Sequence, residues 1–308
     1  LTEGFPFPLP HPTMWLLIGP VMLGSVGLLS WSVGVLARDL DILRPWRFQL
    51  GSALLCTPMV QYGHPEDLWA ATALVVSIRL LLRDRQLSSA LVLGASVGFK
   101  QWTLLALPVL VSAVPKGMRM RAALFALAVP AIFAGFLLAV DWENAGPALL
   151  AARNFPSRGH PAPWTNADAT SVAAAPFRMA TFAIAIASGS LTARKLTKTP
   201  PRLMDRGTVI FAGLTLGFLS RALLEPVLHP YYVSPILLFL ALRLSKRVWP
   251  TVLAGLAVLV GFAWHPNPAL WWILATSSIL FISFTGWNSL IRAQSNGAES
   301  ALIHFPDH

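Results

Sequence analysis

The sequence predicts an all-α protein, a polytopic transmembrane helical bundle of about 10–11 membrane segments that occupies residues 14–290 as one domain. Two observations carry this prediction. Of the 308 residues, 55% are hydrophobic and 12% are charged, whereas a soluble domain usually carries about 25% charged residues. The apolar residues also gather into runs that recur along the whole chain, as membrane segments require.

Several of these apolar runs are shorter than the roughly 20 residues that a straight membrane span needs. We expect the short runs to be longer helices with polar ends, or half-helices buried in the bundle. The runs cover residues 14–36, 48–62, 68–82, 87–99, 103–115, 122–140, 172–191, 207–225, 231–243, 249–264 and 269–287.

Basic residues fall at alternate segment ends, which predicts the topology. If these ends face the cytoplasm, the positive-inside rule is satisfied throughout. The net charge of +10 is then a signal of topology, and it implies no nucleic-acid partner. The basic clusters are Arg38/Arg44/Arg47, Arg83/Arg85, Lys116/Arg119/Arg121, Arg194/Lys195/Lys198/Arg202/Arg206, Arg243/Lys246/Arg247 and Arg292. The opposite ends hold the histidines, most of the acids and many aromatic residues. We therefore expect a multi-pass protein of the cell membrane with its chemistry on the extracytoplasmic side.

The two ends of the chain fall on opposite sides in this topology. Residues 1–13 are predicted to end an extracytoplasmic loop, and residues 291–308 to form a disordered cytoplasmic tail. The chain begins at Leu1 without a signal peptide. We expect an upstream transmembrane helix to precede it, with a short translocated N-terminal tail as the alternative.

The first candidate site is the turn that contains His64, Pro65, Glu66 and Asp67. Pro65 keeps His64 out of helical geometry, and the two acids then fall at the start of the next helix, where the dipole favours negative charge. Capping of that helix would alone explain the acids. The functional alternative is an imidazole and two carboxylates in a wet cavity, acting as a general base, binding a metal or bonding to sugar hydroxyls.

The second candidate site is Lys100-Gln101-Trp102, which follows a helix rich in small residues. A lysine and a tryptophan at this depth commonly anchor a helix at the membrane interface. The alternative is that Lys100 neutralises a phosphate group at the membrane surface.

The sequence has no zinc or redox spacing around its single cysteine, Cys56, and we expect neither a bound metal nor a cofactor.

The third candidate site runs from Arg221 to Tyr232 and includes His229. Arg221 and Glu225 are four residues apart and could form an internal ion pair on one helix face. Alternatively Arg221, about one turn inside the membrane, is a functional residue, because a guanidinium suits a phosphate group. Tyr231 and Tyr232 could stack on a sugar ring or lie in the aromatic belt at the interface.

Two arginines and one loop complete the polar inventory. Arg79 and Arg178 lie within apolar segments, near enough to the ends to extend their charged groups to the interface. The extracytoplasmic loop 141–171 has the length and the aromatic content of a lid over a site, and a disordered tether is the alternative.

Together these stretches resemble the GT-C superfamily of membrane glycosyltransferases. They are most similar to glycosyltransferase family 87, the domain-of-unknown-function 2029 group that includes polyprenol-phosphate-mannose-dependent mannosyltransferases. The resemblance extends from about residue 14 to residue 285. It is carried by three short motifs, which are Gly63-His64-Pro65-Glu66-Asp67, Lys100-Gln101-Trp102 before a Leu/Pro-rich helix, and Arg221 through Glu225-Pro226 to Tyr231-Tyr232.

The resemblance implies a GT-C-like fold and an inverting transferase without a cofactor. It would move a hexose, mannose by family analogy, from a polyprenyl-phosphate sugar to a glycolipid or glycan acceptor outside the cytoplasm. The implied roles are catalysis for His64, Glu66 and Asp67, binding of the donor phosphate for Lys100, Arg221 and His229, and binding of sugar or acceptor for Gln101, Trp102, Glu225, Tyr231 and Tyr232. GT-C proteins usually hold their base in the first extracytoplasmic loop, of which only Glu3 would remain here, so we expect the chain to lack that base.

Two other functions are compatible with a polar membrane protein of this kind. A transporter or flippase of a lipid-linked saccharide would need polar residues along a path through the membrane, and the cytoplasmic halves of these helices are too apolar for that. A non-catalytic membrane scaffold would leave Glu66, Lys100 and Arg221 scattered and each locally satisfied. A single transferase site predicts instead that these residues lie together.

Overall fold

The computed structural model describes residues 12–61, 63–143, 160–161, 175–199, 202–225, 227–228, 230–244, 248–264 and 277. Within these residues the protein is all-α, as the sequence predicts, apart from two strands of two residues each. The α-helices are α1 (Pro12–Asp39), α2 (Trp46–Leu55), α3 (Thr57–Gln61), α4 (Pro65–Leu82), α5 (Gln86–Phe99), α6 (Leu107–Ala113), α7 (Arg119–Val140), α8 (Ala175–Leu196), α9 (Leu203–Leu224), α10 (Val233–Arg243) and α11 (Val248–Trp264). Short 3-10 helices cover Gln101–Ala106, Lys116–Met118 and Pro230–Tyr232, and β1 (His160–Pro161) pairs antiparallel with β2 (Val227–Leu228).

The helices follow the predicted apolar segments, although several ends differ; α9, for example, begins at Leu203 instead of residue 207. Helix α1 begins at Pro12, two residues before the predicted segment, because proline is favoured in the first helical turn. Segment 48–62 is divided into α2 and α3 at Cys56, and segment 103–115 begins as a 3-10 helix. Segment 269–287, the N-terminal stretch 1–11 and the tail 291–308 lie outside the described residues, except for residue 277.

Three helices in the described part of the chain are long and apolar enough to cross a membrane, namely Ile18–Asp39, Lys116–Val140 and Leu203–Leu224. By this measure the chain is a membrane protein. The other apolar helices are shorter, and α4 carries three charged residues among its 18. The number of spans, their orientation and the GT-C-like arrangement therefore stay predictions.

Helix α9 is the most buried of the three candidate membrane spans. In the span Leu203–Leu224, 61% of the 18-residue apolar stretch is buried inside the protein, and in the span Lys116–Val140 only 6% is buried. The apolar side chains that Lys116–Val140 exposes would be covered by lipid in a membrane. Helix α9 packs on α8 and α10, while α4 packs on α1 and α5, and α5 on α7. Phe218 and Phe239 stack with their ring centroids 5.7 Å apart in the core between α9 and α10.

One end of this bundle is held by ion pairs between arginine and aspartate, and we call it the arginine–aspartate end. Asp39 at the end of α1 accepts hydrogen bonds from Arg79 at 2.6 Å and from Arg83 at 2.7 Å, both at the end of α4. Asp84 lies 3.4 Å from Arg206 near the start of α9. Arg79, which the sequence predicts to extend its charged group to the interface, joins two helices here.

Candidate functional site

The turn before α4 is built by a glycine and a proline with different tasks. Gly63 adopts a φ of 66°, the left-handed conformation that ends a helix and that glycine adopts without strain. The N–H groups of Gly63 and His64 donate to the carbonyls of Val60 and Met59, at 3.0 and 3.2 Å, which is the pattern of a Schellman motif. Pro65 then starts α4 and leaves His64 outside helical geometry, with φ −106° and ψ 77°, as the sequence predicts.

This turn places His64, Glu66 and Asp67 beside Lys100, which ends α5. The His64 Nδ1 atom lies 2.9 Å from Glu66 Oε1, and the Lys100 ammonium lies 3.1 Å from the same oxygen and 3.5 Å from Asp67 Oδ2. Trp102 donates its indole N–H to Asp67 Oδ1 at 2.6 Å. Trp102 is buried, so it differs from the interfacial anchor that the sequence left as an alternative.

The two carboxyl groups are perturbed in opposite directions. Partial burial of Glu66 favours its neutral form, but the hydrogen bond with His64 and the charge of Lys100 outweigh burial and lower the pKa of Glu66 to about 2. At Asp67 burial dominates and raises the pKa of the carboxyl group, although Lys100 and the Trp102 hydrogen bond act against it. Glu66 is therefore a fixed anion, and Asp67 is the more basic carboxylate. Asp67 is also fully buried, which closes it off from a substrate.

A second group of charged residues surrounds Glu225 at the end of α9. Glu225 Oε2 lies 4.0 Å from Arg221 Nε, and Glu225 Oε1 lies 3.6 Å from an amino group of Arg178 near the start of α8. The guanidinium carbon of Arg221 lies 3.8 Å from the ring centroid of Tyr232, a cation–π contact. The sequence predicted the Arg221–Glu225 pair but not the contribution of Arg178.

Aromatic side chains connect the two charged groups. The rings of His64 and Tyr231 lie 5.6 Å apart, and Tyr231 meets Tyr232 edge-on at 4.7 Å. A cleft with a cavity volume of only about 10 Å³ lies beside these rings, lined by Trp102, Phe218, Arg221, Tyr231, Tyr232 and Pro235. We refer to the charged groups and these aromatic residues together as the candidate site.

His64, Glu66 and Asp67 could also surround a metal ion, since one potential ligand atom of each lies within 4.8 Å of the others. The ammonium group of Lys100, however, lies 3.1 Å from Glu66 and 3.5 Å from Asp67. A positive charge therefore already compensates two of the three potential ligands. A divalent ion could replace it only if Lys100 moved away, since two cations so close together would repel each other.

The structure thus brings together most of the residues that the three motifs predicted, with two exceptions. Gln101 is exposed, and no hydrogen bond joins it to the described part of the site. His229 lies outside the described residues. Arg178 was missed as a site residue, although the predicted topology puts the start of its segment on the extracytoplasmic side. The pairing of His160 and Pro161 with Leu228 and Val227 brings these two residues next to the third motif, while most of the predicted lid, loop 141–171, lies outside the described residues.

The chain matches no protein-family model, no curated protein and no solved structure. What this site does is therefore inferred from its residues and their geometry.

Proposed function

We propose that this protein is an integral membrane glycosyltransferase of the kind that its motifs resemble. It would move a hexose, mannose by family analogy, from a polyprenyl-phosphate sugar to a glycolipid or glycan acceptor on the extracytoplasmic side of the cell membrane. One observation carries the proposal. Polar residues from the ends of α5 and α9, the starts of α4 and α8 and the Tyr231–Tyr232 turn converge on one cluster, although His64 and Tyr232 lie 168 positions apart in sequence (232 − 64).

The acid–base part of the site suits deprotonation of an acceptor hydroxyl group. Glu66 holds one nitrogen of the His64 ring at 2.9 Å, which leaves the other nitrogen to take the proton, the arrangement of an oriented general base. As the acceptor oxygen bonds to the anomeric carbon, the bond from that carbon to the phosphate oxygen breaks. The proton passes to His64, and the electron pair leaves with the phosphate.

The basic part of the site suits the departing phosphate. Charge accumulates on the phosphate oxygens as the glycosidic bond breaks, and cations placed there in advance stabilise the transition state. Arg221 is fixed against Tyr232 at 3.8 Å, and Lys100 stands between the two carboxylates of α4. Tyr231, which is only partly buried, offers a ring face on which a sugar can stack.

The place of the site in the bundle suits a lipid-linked donor, whose polyprenyl chain would stay in the bilayer beside the helices. The polar cluster lies at one end of the bundle, while ion pairs of Asp39 link α1 and α4 at the other. This arrangement favours a transferase over a flippase.

The proposal is tested by transfer of radiolabelled mannose from polyprenyl-phosphate mannose, in membranes that contain the full-length gene product. We expect transfer by the wild type and a loss of about 10²–10⁴-fold for His64→Ala, the usual range for a general base. Glu66→Gln should lose activity in the same direction at an equal protein level. Absence of transfer by the wild type from any polyprenyl-phosphate sugar would refute the proposal, and unchanged transfer by His64→Ala would remove His64 from catalysis.

A further inference from the structure

Glu66 and Asp67 are neighbours in the first turn of α4, but they face different surroundings. The Glu66 side chain is 35% exposed and the Asp67 side chain is 0% exposed, since successive residues of a helix point about 100° apart. Glu66 therefore lies at the opening of the site beside His64, and Asp67 points into the bundle. A carboxylate buried in this way contacts other side chains of the protein and not an acceptor.

The two oxygen atoms of Asp67 contact residues on both sides of a helix break. Lys100 has extended backbone angles, φ −151° and ψ 126°, and separates α5 from the 3-10 helix that follows. Asp67 Oδ1 accepts the indole N–H of Trp102 at 2.6 Å, and Asp67 Oδ2 lies 3.5 Å from the Lys100 ammonium. The N–H group and the hydroxyl group of Thr103 donate to the Lys100 carbonyl at 3.2 and 2.9 Å. The backbone at the break is therefore held locally, whereas the side chains on its two sides are held by Asp67.

Lys100 connects Asp67 to the acid–base part of the site. Its ammonium group lies 3.1 Å from Glu66 Oε1, and the same oxygen lies 2.9 Å from Nδ1 of His64. Lys100 thus stands between an exposed and a buried carboxylate. If the charge of Asp67 is removed, the ion pair with Glu66 remains, and an ion pair with a partly exposed group fixes a long side chain only weakly.

Trp102 connects Asp67 to the cleft. The Trp102 ring meets Phe218 edge-on with the ring centroids 5.3 Å apart, and it lines the cleft together with Arg221. The indole N–H is the only polar group of this side chain, so its hydrogen bond with Asp67 orients the ring. The wall of the cleft therefore depends on a carboxylate that does not line the cleft.

We infer that Asp67 is a positioning residue of the proposed transferase, which acts on the reaction through Lys100 and Trp102 and does not contact the substrate. This inference rests on the proposed function and deepens it. It changes the role that the family resemblance implies for Asp67, from catalysis to the placement of two neighbouring side chains. Asp67 Oδ2 is buried and accepts no hydrogen bond from the described residues. Such an oxygen costs stability, as expected of a group that serves the site and not the fold.

The first measurement follows the indole N–H signal of Trp102 by NMR, in the purified full-length protein in detergent, with Trp102→Phe to identify the signal. A hydrogen bond to a carboxylate is stronger than one to a neutral oxygen. Asp67→Asn keeps an oxygen acceptor and should shift the signal upfield. Asp67→Leu has no acceptor and should shift it further. The signal of Trp69, whose indole donates to Ser25, should not move. Unfolding temperatures show which variants are folded, and if Asp67→Leu is not folded, Asp67→Asn decides the matter.

The second measurement is mannose transfer by single and double variants at equal protein levels. Asp67→Asn should lower transfer by about 10–10²-fold, the cost of misplacing a group in the site. In the Lys100→Met background the same substitution should lower transfer by less than about twofold more, because the residue through which the charge acts is already absent. A general base at Asp67 would instead lose a further factor of about 10²–10⁴. Asp39→Asn removes a carboxylate from the arginine–aspartate end and should leave transfer unchanged.

The outcomes distinguish this inference from the proposed function. A Trp102 signal that stays in place in the Asp67 variants, or a further large loss of transfer from Asp67→Asn in the Lys100→Met background, would overturn the inference even if sugar transfer occurs. A shifted Trp102 signal in a protein that transfers no sugar would support the contacts of Asp67 and refute the transferase.

Discussion

The two ends of the helical bundle use the same charged groups in different ways. At the arginine–aspartate end, Arg79 and Arg83 contact Asp39 at 2.6 and 2.7 Å. At the candidate site, Arg178 and Arg221 lie 3.6 and 4.0 Å from Glu225. Helices α4 and α9 contribute charged residues to both ends, and an α-helix of their length places these residues about 20 Å or more apart.

This difference separates charges that hold helices together through short hydrogen bonds from charges that are held at longer distances. Short, charge-assisted hydrogen bonds satisfy the Asp39 carboxylate and link the ends of α1 and α4. In the candidate site the Arg221 guanidinium contacts the face of Tyr232 and lies 4.0 Å from the Glu225 carboxylate. Buried charge that is only loosely compensated costs stability. Such an arrangement is expected where binding, and not folding, completes the interactions.

The first comparison removes one arginine from each end of the bundle and measures sugar transfer, where we expect the largest difference. Arg221→Ala should lower sugar transfer by about 10²–10³-fold, the usual loss when one stabilising group is removed from an anion-binding site. Arg83→Ala removes the same kind of charge from the other end, where it pairs with Asp39, and should leave transfer within about twofold of the wild type. The measurement is mannose transfer at equal protein levels in membranes. Equal losses in both variants would show that the comparison does not separate function from folding.

A smaller effect is expected on stability when the candidate site loses an internal hydrogen bond. Trp102→Phe keeps a ring against Phe218, whose centroid lies 5.3 Å away, but removes the N–H that Asp67 accepts at 2.6 Å. The buried carboxylate then keeps only its contact with Lys100, and we expect a loss of about 2 kcal/mol in the free energy of unfolding.

Trp69 provides the matched control for that variant. Its indole N–H donates to the hydroxyl group of Ser25 at 2.8 Å, and 37% of the residue is exposed. Trp69→Phe should therefore cost less than about 1 kcal/mol. Thermal and denaturant unfolding in detergent compare the two. Equal costs would mean that the Asp67 carboxylate does not depend on Trp102.

Local features of this molecule were predictable from sequence, and contacts between distant segments were not. Apolar runs predict the helices, Pro65 predicts the turn before α4, and the spacing of Arg221 and Glu225 predicts a shared helix face. The pairing of Trp102 with Asp67 spans 35 positions, and that of Arg178 with Glu225 joins two helices. Such contacts depend on how neighbouring helices are rotated and shifted against each other, which the sequence periodicity of a single helix does not specify.

The smallest expected effect is a change in the acid stability of the candidate site. His64 and Lys100 lower the pKa of Glu66 to about 2, below the ordinary value of 4.5. A carboxyl group with a lowered pKa stabilises the fold fully above its unfolded pKa, and this contribution is lost as the pH falls from about 4.5 towards 2. Glu66→Gln should therefore unfold at a lower temperature than the wild type at pH 6, and this deficit should shrink by pH 3. Glu143→Gln, which changes an exposed acid, should have the unfolding temperature of the wild type at both pH values. A Glu66→Gln deficit in unfolding temperature that is constant from pH 6 to pH 3 would show that Glu66 is not stabilised by its cationic neighbours.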